Sequence, residues 1–340
     1  FACFYGDDNK NNLRIYDAKG NQYWHKTVKE EGAQAFGLLT SNDNVYLLVK
    51  KSDKMVEGGY ELLGYKASDS TTYPKYVLKD KQGNSLKVIS FANDPSTGQP
   101  FLSGNIIHPT KGNKYHLGRH VAQGAYSGVF TINLNGVKKS DFKELYSYWN
   151  DGSTSFMTKK GYCAETKGFP RFSESFKDFE GNTYYIGSSV DKKVKVGSIV
   201  VSILTLPILV PPFLLSSQGY QKIRMTEAVL VKQNLKGTLT LEKSIATNYS
   251  GYKPAAYPVS TVNNRSFYNV TNPNTKTGYL IVDDAKDIYI YNINQKKVVR
   301  TIPHKDGNVS TYVFPAKEGH VMVSEYNRKE RYTRFSIEAL

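Results

Sequence analysis

His116 and His120 stand four residues apart, with His108 nearby, in a Gly- and Lys-rich loop from Ile107 to Ala125. Two imidazoles at that spacing bind one metal ion when a helix sets them on one face. Gly118 between them argues against a helix, so no metal site is assigned. Carboxylates are the other candidates for chemistry. Asp94, Asp178, Asp283 and Asp284 lie near the ends of strand-like runs, and glycoside hydrolysis needs two such groups to converge. Spacing along a chain gives no separation in space, and an Asp at a strand end is more simply a turn residue. The chain contains no Gly-x-Ser-x-Gly nucleophile elbow and no Walker loop for phosphate. The residues therefore assign no catalytic group, no cofactor and no metal.

The segment that calls for a partner is apolar. Val196 to Leu215 carries no charge, with Lys192, Lys193 and Lys195 before it and Lys222 and Arg224 after it. Its length meets the ~20 residues of a bilayer span. Pro207, Pro211 and Pro212 would break the helix, and a span would part the strands of one repeat. Three readings stay open: a buried strand pair or loop capping the core, an exposed loop docking on a protein, or a dip into a membrane interface with the basic flanks at the head groups. On the docking reading the contact residues are Ile199, Val200, Ile203, Leu204, Leu206, Ile208, Leu209, Phe213 and Leu214.

Those elements must be held by something, and the composition says strands. The 340 residues include 26 Tyr against 2 Trp and 4 Met, and Tyr, Val, Ile and Thr suit a half-buried pleated surface. Runs of that kind recur at Leu13–Asp17, Val45–Lys50, Tyr60–Tyr65, Leu86–Ala92, Gly128–Asn133, Arg171–Phe176 and Thr183–Ser188. They continue at Glu227–Lys232, Gly278–Asp283, Asp287–Tyr291, Ser310–Phe314, His320–Tyr326 and Tyr332–Ile337. Only Lys138–Trp149 reads as a potential helix. A turn of Asp or Asn, two residues, then Gly recurs at Asp17, Asp80 and Asp178, with looser copies at Asn133 and Asn234. The Asx side chain caps the turn and Gly takes the positive φ. Five such turns, spaced irregularly, read as one hairpin per repeat.

The expected fold is all-β: a β-propeller of about six four-stranded blades, with five or seven also open, forming one domain over 1–340 with an apolar insertion at 196–219. A pair of β-sandwiches is the competing architecture. The run Phe1–Tyr5 is expected to supply the missing strand of the C-terminal unit. Net charge is +15, from 45 basic and 30 acidic residues. The lysines are scattered among strands and turns without forming a nucleic-acid module, which argues against a nucleic-acid partner. Cys3 and Cys163 form one disulfide or stay free and buried. A chain beginning at Phe1 is what signal-peptide removal leaves, and so is a partial sequence. Export is the expectation.

Asp178–Tyr184 resembles the sialidase Asp-box, with an extra residue before Gly181 and Tyr184 in place of Trp. That box implies a turn, not an activity, and the arginine cluster of a sialidase is not evident. Phe91-Ala-Asn-Asp-Pro-Ser-Thr-Gly-Gln-Pro-Phe-Leu-Ser-Gly104 and Phe179-Glu-Gly-Asn-Thr-Tyr-Tyr-Ile-Gly187 resemble repeat-bearing exported propeller-like proteins of Bacteroidota. Gly278–Leu340 is similar to an uncharacterised family from those bacteria. The resemblance implies no established reaction and a periplasmic, outer-membrane or cell-surface setting. The expected function is a non-enzymatic interaction module of the cell envelope, bound to a membrane-associated protein partner. A carbohydrate-binding or glycan-active propeller is the alternative.

Overall fold

Burial alternates along Leu86–Asn93: Leu86, Val88 and Ser90 are buried and the residues between them half-buried. That period of two selects pleated strands with one face to a core. In a computed structural model strands recur from end to end, and several central ones, such as Pro100–Ile107, are buried on both faces. The structure describes residues 1–7, 10–28, 33–51, 58–108, 126–194, 221–246, 252–254, 267–283, 286–304 and 307–340. Every sheet among them is antiparallel, and the chain divides into two compact units, one carrying the first three sheets and the other the last three.

In the first unit, the first sheet is β1 (Ala2–Asp7), β2 (Lys10–Tyr16) and β3 (Gln22–Val28). The second is β4 (Ala33–Ser41), β5 (Asn44–Lys51), β6 (Tyr60–Lys66) and β7 (Tyr76–Val77). The third is β8 (Leu86–Asn93), β9 (Pro100–Ile107), β10 (Tyr126–Leu134) and β11 (Phe142–Tyr148). In the second unit, the fourth sheet is β12 (Phe169–Lys177), β13 (Thr183–Val194), β14 (Gln221–Gln233) and β15 (Leu239–Ala246), with the short β16 (Tyr252–Pro254) also paired to β14. The fifth is β17 (Phe267–Asn272), β18 (Thr277–Asp283), β19 (Asp287–Asn292) and β20 (Lys297–Pro303). The sixth is β21 (Val309–Pro315), β22 (His320–Asn327) and β23 (Tyr332–Ala339). All thirteen runs read from the sequence fall on strands.

Each sheet is a meander with its strands in chain order. Within each unit the first strands of consecutive sheets adjoin: β1 with β4 and β4 with β8 in one, β12 with β17 and β17 with β21 in the other. Sheets stack face to face through apolar cores. In β5, Val45, Leu47 and Val49 pack with Leu13 and Ile15 of the first sheet, while Tyr46 and Leu48 pack with Leu102, Phe130 and Ile132 of the third. β5 is thus covered on both faces, which is why it reads as a continuous apolar run. β18 repeats the arrangement. Leu280 and Val282 face the fourth sheet, and Tyr279 and Ile281 face the sixth. Each such buried side chain stabilises by roughly 1.5–3 kcal/mol.

Three expectations need correction. Lys138–Trp149 is not a helix: Lys139–Asp141 makes a single 3-10 turn and Phe142–Tyr148 is the edge strand β11. Alternate residues Phe142, Glu144, Tyr146 and Tyr148 share a face there, and β10 offers an open edge for pairing. The N-terminal run does not complete the last sheet, because Ala2–Asp7 is hydrogen-bonded to β2 in its own hairpin. The Asn133 copy of the turn is also different. Asn133 belongs to β10, and a Cβ at Gly136 would lie 2.3 Å from Asp141 Oδ2.

The other four turns share one geometry. At Asp17, Asp80, Asp178 and Asn234 the side-chain Oδ1 accepts the backbone N–H groups two and four residues on. The Gly three residues on has φ between +83° and +88°. The turns occupy unlike places, however: β2–β3, the link into β8, β12–β13 and β14–β15. They form a general hairpin device, not a marker of the repeat. Both cysteines are free, Cys163 buried and Cys3 exposed.

Candidate functional site

The carboxylates singled out in the sequence are engaged locally. Asp94 is buried and caps its own turn, its Oδ1 accepting the Ser96 N–H at 2.8 Å and the Ser96 hydroxyl at 2.6 Å. Asp178 holds the turn already described, with the Asn182 amide donating to Oδ2 at 2.8 Å. Asp283 Oδ1 lies 2.9 Å from His304 Nε2, linking the ends of β18 and β20. Asp284, His116 and His120 lie outside the described residues, as does the whole apolar segment from Ile199 to Leu214 with its nine proposed contacts. Among the described residues, no three His, Cys, Asp or Glu side chains cluster to hold a metal.

A row of rings does stand beside carboxylates in the first unit. Tyr76 donates to Glu144 Oε1 at 2.8 Å, Lys139 Nζ reaches the same oxygen at 3.0 Å, and Tyr148 donates to Asp80 Oδ2 at 2.9 Å. Tyr146 donates to the Lys79 carbonyl, and the Lys139 ammonium lies 4.1 Å from the centre of the Tyr76 ring. Burial pushes the Tyr76, Tyr146 and Tyr148 hydroxyls up from the ordinary tyrosine range. Burial also pushes Glu144 up, but hydrogen bonds from Lys139 and Tyr76 outweigh it and hold the carboxyl below its usual value. The rings pack on the core between the second and third sheets, and their hydroxyls are already spent on the protein. This row clasps a core edge, and the bonds it makes leave few groups for a ligand.

Glu174 differs. A bulge in β12 lies opposite Gly187, so Arg171 and Glu174, three residues apart, share a face. Glu174 pairs with Ile186 and so faces the apolar core of Phe176, Tyr184, Ile186 and Leu280. Burial alone raises its carboxyl to about 7. Its strand partner Ile186 lines a small apolar cleft with Ala228, Leu230, Ile245 and Tyr291. A carboxyl so placed favours its neutral form.

Among the described residues, the sixth sheet carries several exposed large apolar side chains. Register places Tyr312 opposite Ser324 and Ser324 opposite Phe335, and likewise Phe314, Met322 and Ile337 in one row. These residues share one face. The other face carries Val313, Val321 and Val323 and is buried on the fifth sheet. The first face is bare: Phe335 is 62%, Ile337 65% and Tyr312 48% exposed, with Phe314 and Tyr326 also exposed. By register, the whole face runs through Ser310, Tyr312 and Phe314 of β21, His320, Met322, Ser324 and Tyr326 of β22, and Thr333, Phe335, Ile337 and Ala339 of β23. It holds no Lys, Arg, Asp or Glu, in a chain of which 22% is charged. Contiguous exposed apolar surface of this kind is uncommon on a folded domain and makes this face the candidate site. The sequence shows that these strands exist, and alternation in β23 sets Phe335 and Ile337 apart from Arg334, Ser336 and Glu338 as the side to be covered; register instead puts them opposite the side that Val313, Val321 and Val323 bury.

The described chain is thus an all-β protein of stacked antiparallel meander sheets. No protein-family model matches it, and no curated protein matches its sequence. Among solved structures it is similar to apo AztD from Citrobacter koseri, at 9% identity and a TM-score of 0.44, over 99% of this chain and 71% of that one. It is also similar to a protein of unknown function from Dyadobacter fermentans (13% identity, TM-score 0.42, 96% and 82% of the two chains). A third is a protein of unknown function from Bacteroides caccae (9%, 0.40, 98% and 92%).

Proposed function

We propose that the chain is a single propeller-type domain, its sheets acting as blades, that serves as a non-enzymatic interaction module. The observation that carries this reading is the uncharged, apolar, bare face of the sixth sheet. Within each unit the apolar faces of neighbouring sheets cover one another, and an apolar face left bare offers itself to another surface. Rigid sheets hold the contact residues in place beforehand, so little ordering is lost on binding. The exported, cell-envelope setting and a membrane-associated partner at Ile199–Leu214 belong to the same proposal and rest on the sequence.

The test is co-purification from native membranes with the wild-type chain and with Phe335→Asp/Ile337→Asp. Both positions are exposed, so the double variant keeps the strand spectrum of the wild type by circular dichroism. The proposal expects a partner that is lost with the variant. An unchanged set of co-purifying proteins, further copies of the chain included, at the same stoichiometry would refute the assignment of this face.

A further inference from the structure

We infer that the partner of the bare sixth sheet is a second copy of this chain, packed face to face about a two-fold axis. This inference rests on the interaction reading above and names its occupant. The first ground is charge. Two copies of a chain with net charge +15 repel over most of their surfaces. The face from Ser310 to Ala339 carries no Lys, Arg, Asp or Glu on any of its three strands, so it is where two copies meet without opposing like charges.

The second ground is area. The exposed parts of Tyr312, Phe314, Tyr326, Phe335 and Ile337 come to about 500 Å² at the usual size of such side chains. With the intervening Met322, Thr333 and Ala339, the face approaches the ~800 Å² per partner of a stable interface. Sheets with two such inner faces pack about 10 Å apart with strands within about 30° of alignment.

The third ground is the pair of ends. The β21–β22 turn exposes Lys317 and Glu318, and the β22–β23 turn exposes Arg328, Lys329, Glu330 and Arg331. A two-fold axis lying in the interface and crossing the strands brings the first end of one copy over the second end of the other. Glu318 then meets the basic end and Lys317 meets Glu330. An axis parallel to the strands would stack the basic ends on each other, so charge selects the first arrangement. The contact is isologous and closes at two copies.

Sedimentation velocity of the full chain over a hundredfold concentration range tests this, alongside hydroxyl-radical labelling of Tyr312 and Phe335. The expected result is a dimer that dissociates on dilution, weakened at least tenfold by Ile337→Lys. Glu318→Lys should weaken it less, and more so at low salt. A dimer indifferent to Ile337→Lys overturns the inference. A monomer at every concentration with Phe335 open to labelling also overturns it, while leaving a different partner for the face. A monomer in which Tyr312 and Phe335 are shielded means that the chain itself covers the face, and it removes the interaction reading as well.

Discussion

Replacing Glu174 with Gln isolates the cost of an ionised carboxyl beside an apolar core. The wild-type carboxyl is raised by burial from 4.5 to about 7. A group that holds its proton more tightly when folded leaves stability untouched below 4.5, where both states are protonated. Stability is then lost as pH rises from 4.5 through 7, where the unfolded chain ionises freely and the folded carboxyl sits at a site that disfavours charge. At about 1.4 kcal/mol per pH unit, the rise from 4.5 to about 7 makes the full loss above pH 8 about 3–4 kcal/mol, and partial contact with water reduces it to roughly 1–3 kcal/mol. Gln keeps the shape and cannot ionise. The variant should match the wild type at pH 4.5 and exceed it by roughly 1–3 kcal/mol at pH 8.5. Both tryptophans, Trp24 and Trp149, lie in the first unit. The assay is therefore urea unfolding read by hydrogen exchange in peptides of β12 and β13, with variant and wild type compared at equal pH. Equal stability at both pH values would refute the placement of Glu174 against the Phe176–Ile186 core. A variant less stable at pH 8.5 would show that the carboxylate has a partner.

Other outcomes follow from the same geometry. Gly187→Ala places a Cβ 1.8 Å from the Arg171 carbonyl oxygen, which forces the bulge apart. It should cost ~2 kcal/mol in the second unit by denaturant unfolding, and no loss would mean that the β12–β13 register is wrong. Arg331 sits at φ +55° in the β22–β23 turn, a conformation that costs an L-residue about 1–2 kcal/mol. Arg331→Gly should raise the midpoint of unfolding of that sheet, partly offset by glycine's freedom in the unfolded chain. Asp80→Ala removes a capped turn and the Tyr148 bond together. It should destabilise the first unit by about 2–3 kcal/mol, and more than Asp17→Ala at the exposed copy of the same turn. Equal losses at the two copies would deny Tyr148 its role as a clasp.

Strand positions were legible because burial has a period of two in strands such as Leu86–Asn93, and because doubly covered strands such as Asn44–Lys51 leave an apolar run. Lys138–Trp149 misled because Phe142, Leu145 and Tyr146 also fit a helical stripe. The edge of β10, which the local sequence does not contain, decides for a strand. The Asx–Gly turns were read correctly as turns, but their chemistry is the same wherever a tight hairpin is needed, so their spacing carried no repeat. Glu174 gave no signal in the sequence. Its setting depends on pairing opposite Ile186 and on a one-residue bulge that puts it on the same face as Arg171. The bare face was hidden for a related reason. Tyr312, Phe314, Phe335 and Ile337 look no different from core residues until pairing shows that Val313, Val321 and Val323 already fill the covered side.

An interaction role requires the side of the sixth sheet that carries Tyr312, Tyr326 and Phe335 to be open to a partner. Hydroxyl-radical footprinting of dilute purified chain, compared with chain held in its native complex, measures that directly. Fast oxidation of these three rings when dilute, and protection in the complex, is the predicted result. Slow oxidation in both states, comparable to that of the buried Tyr46 and Tyr185, would contradict it.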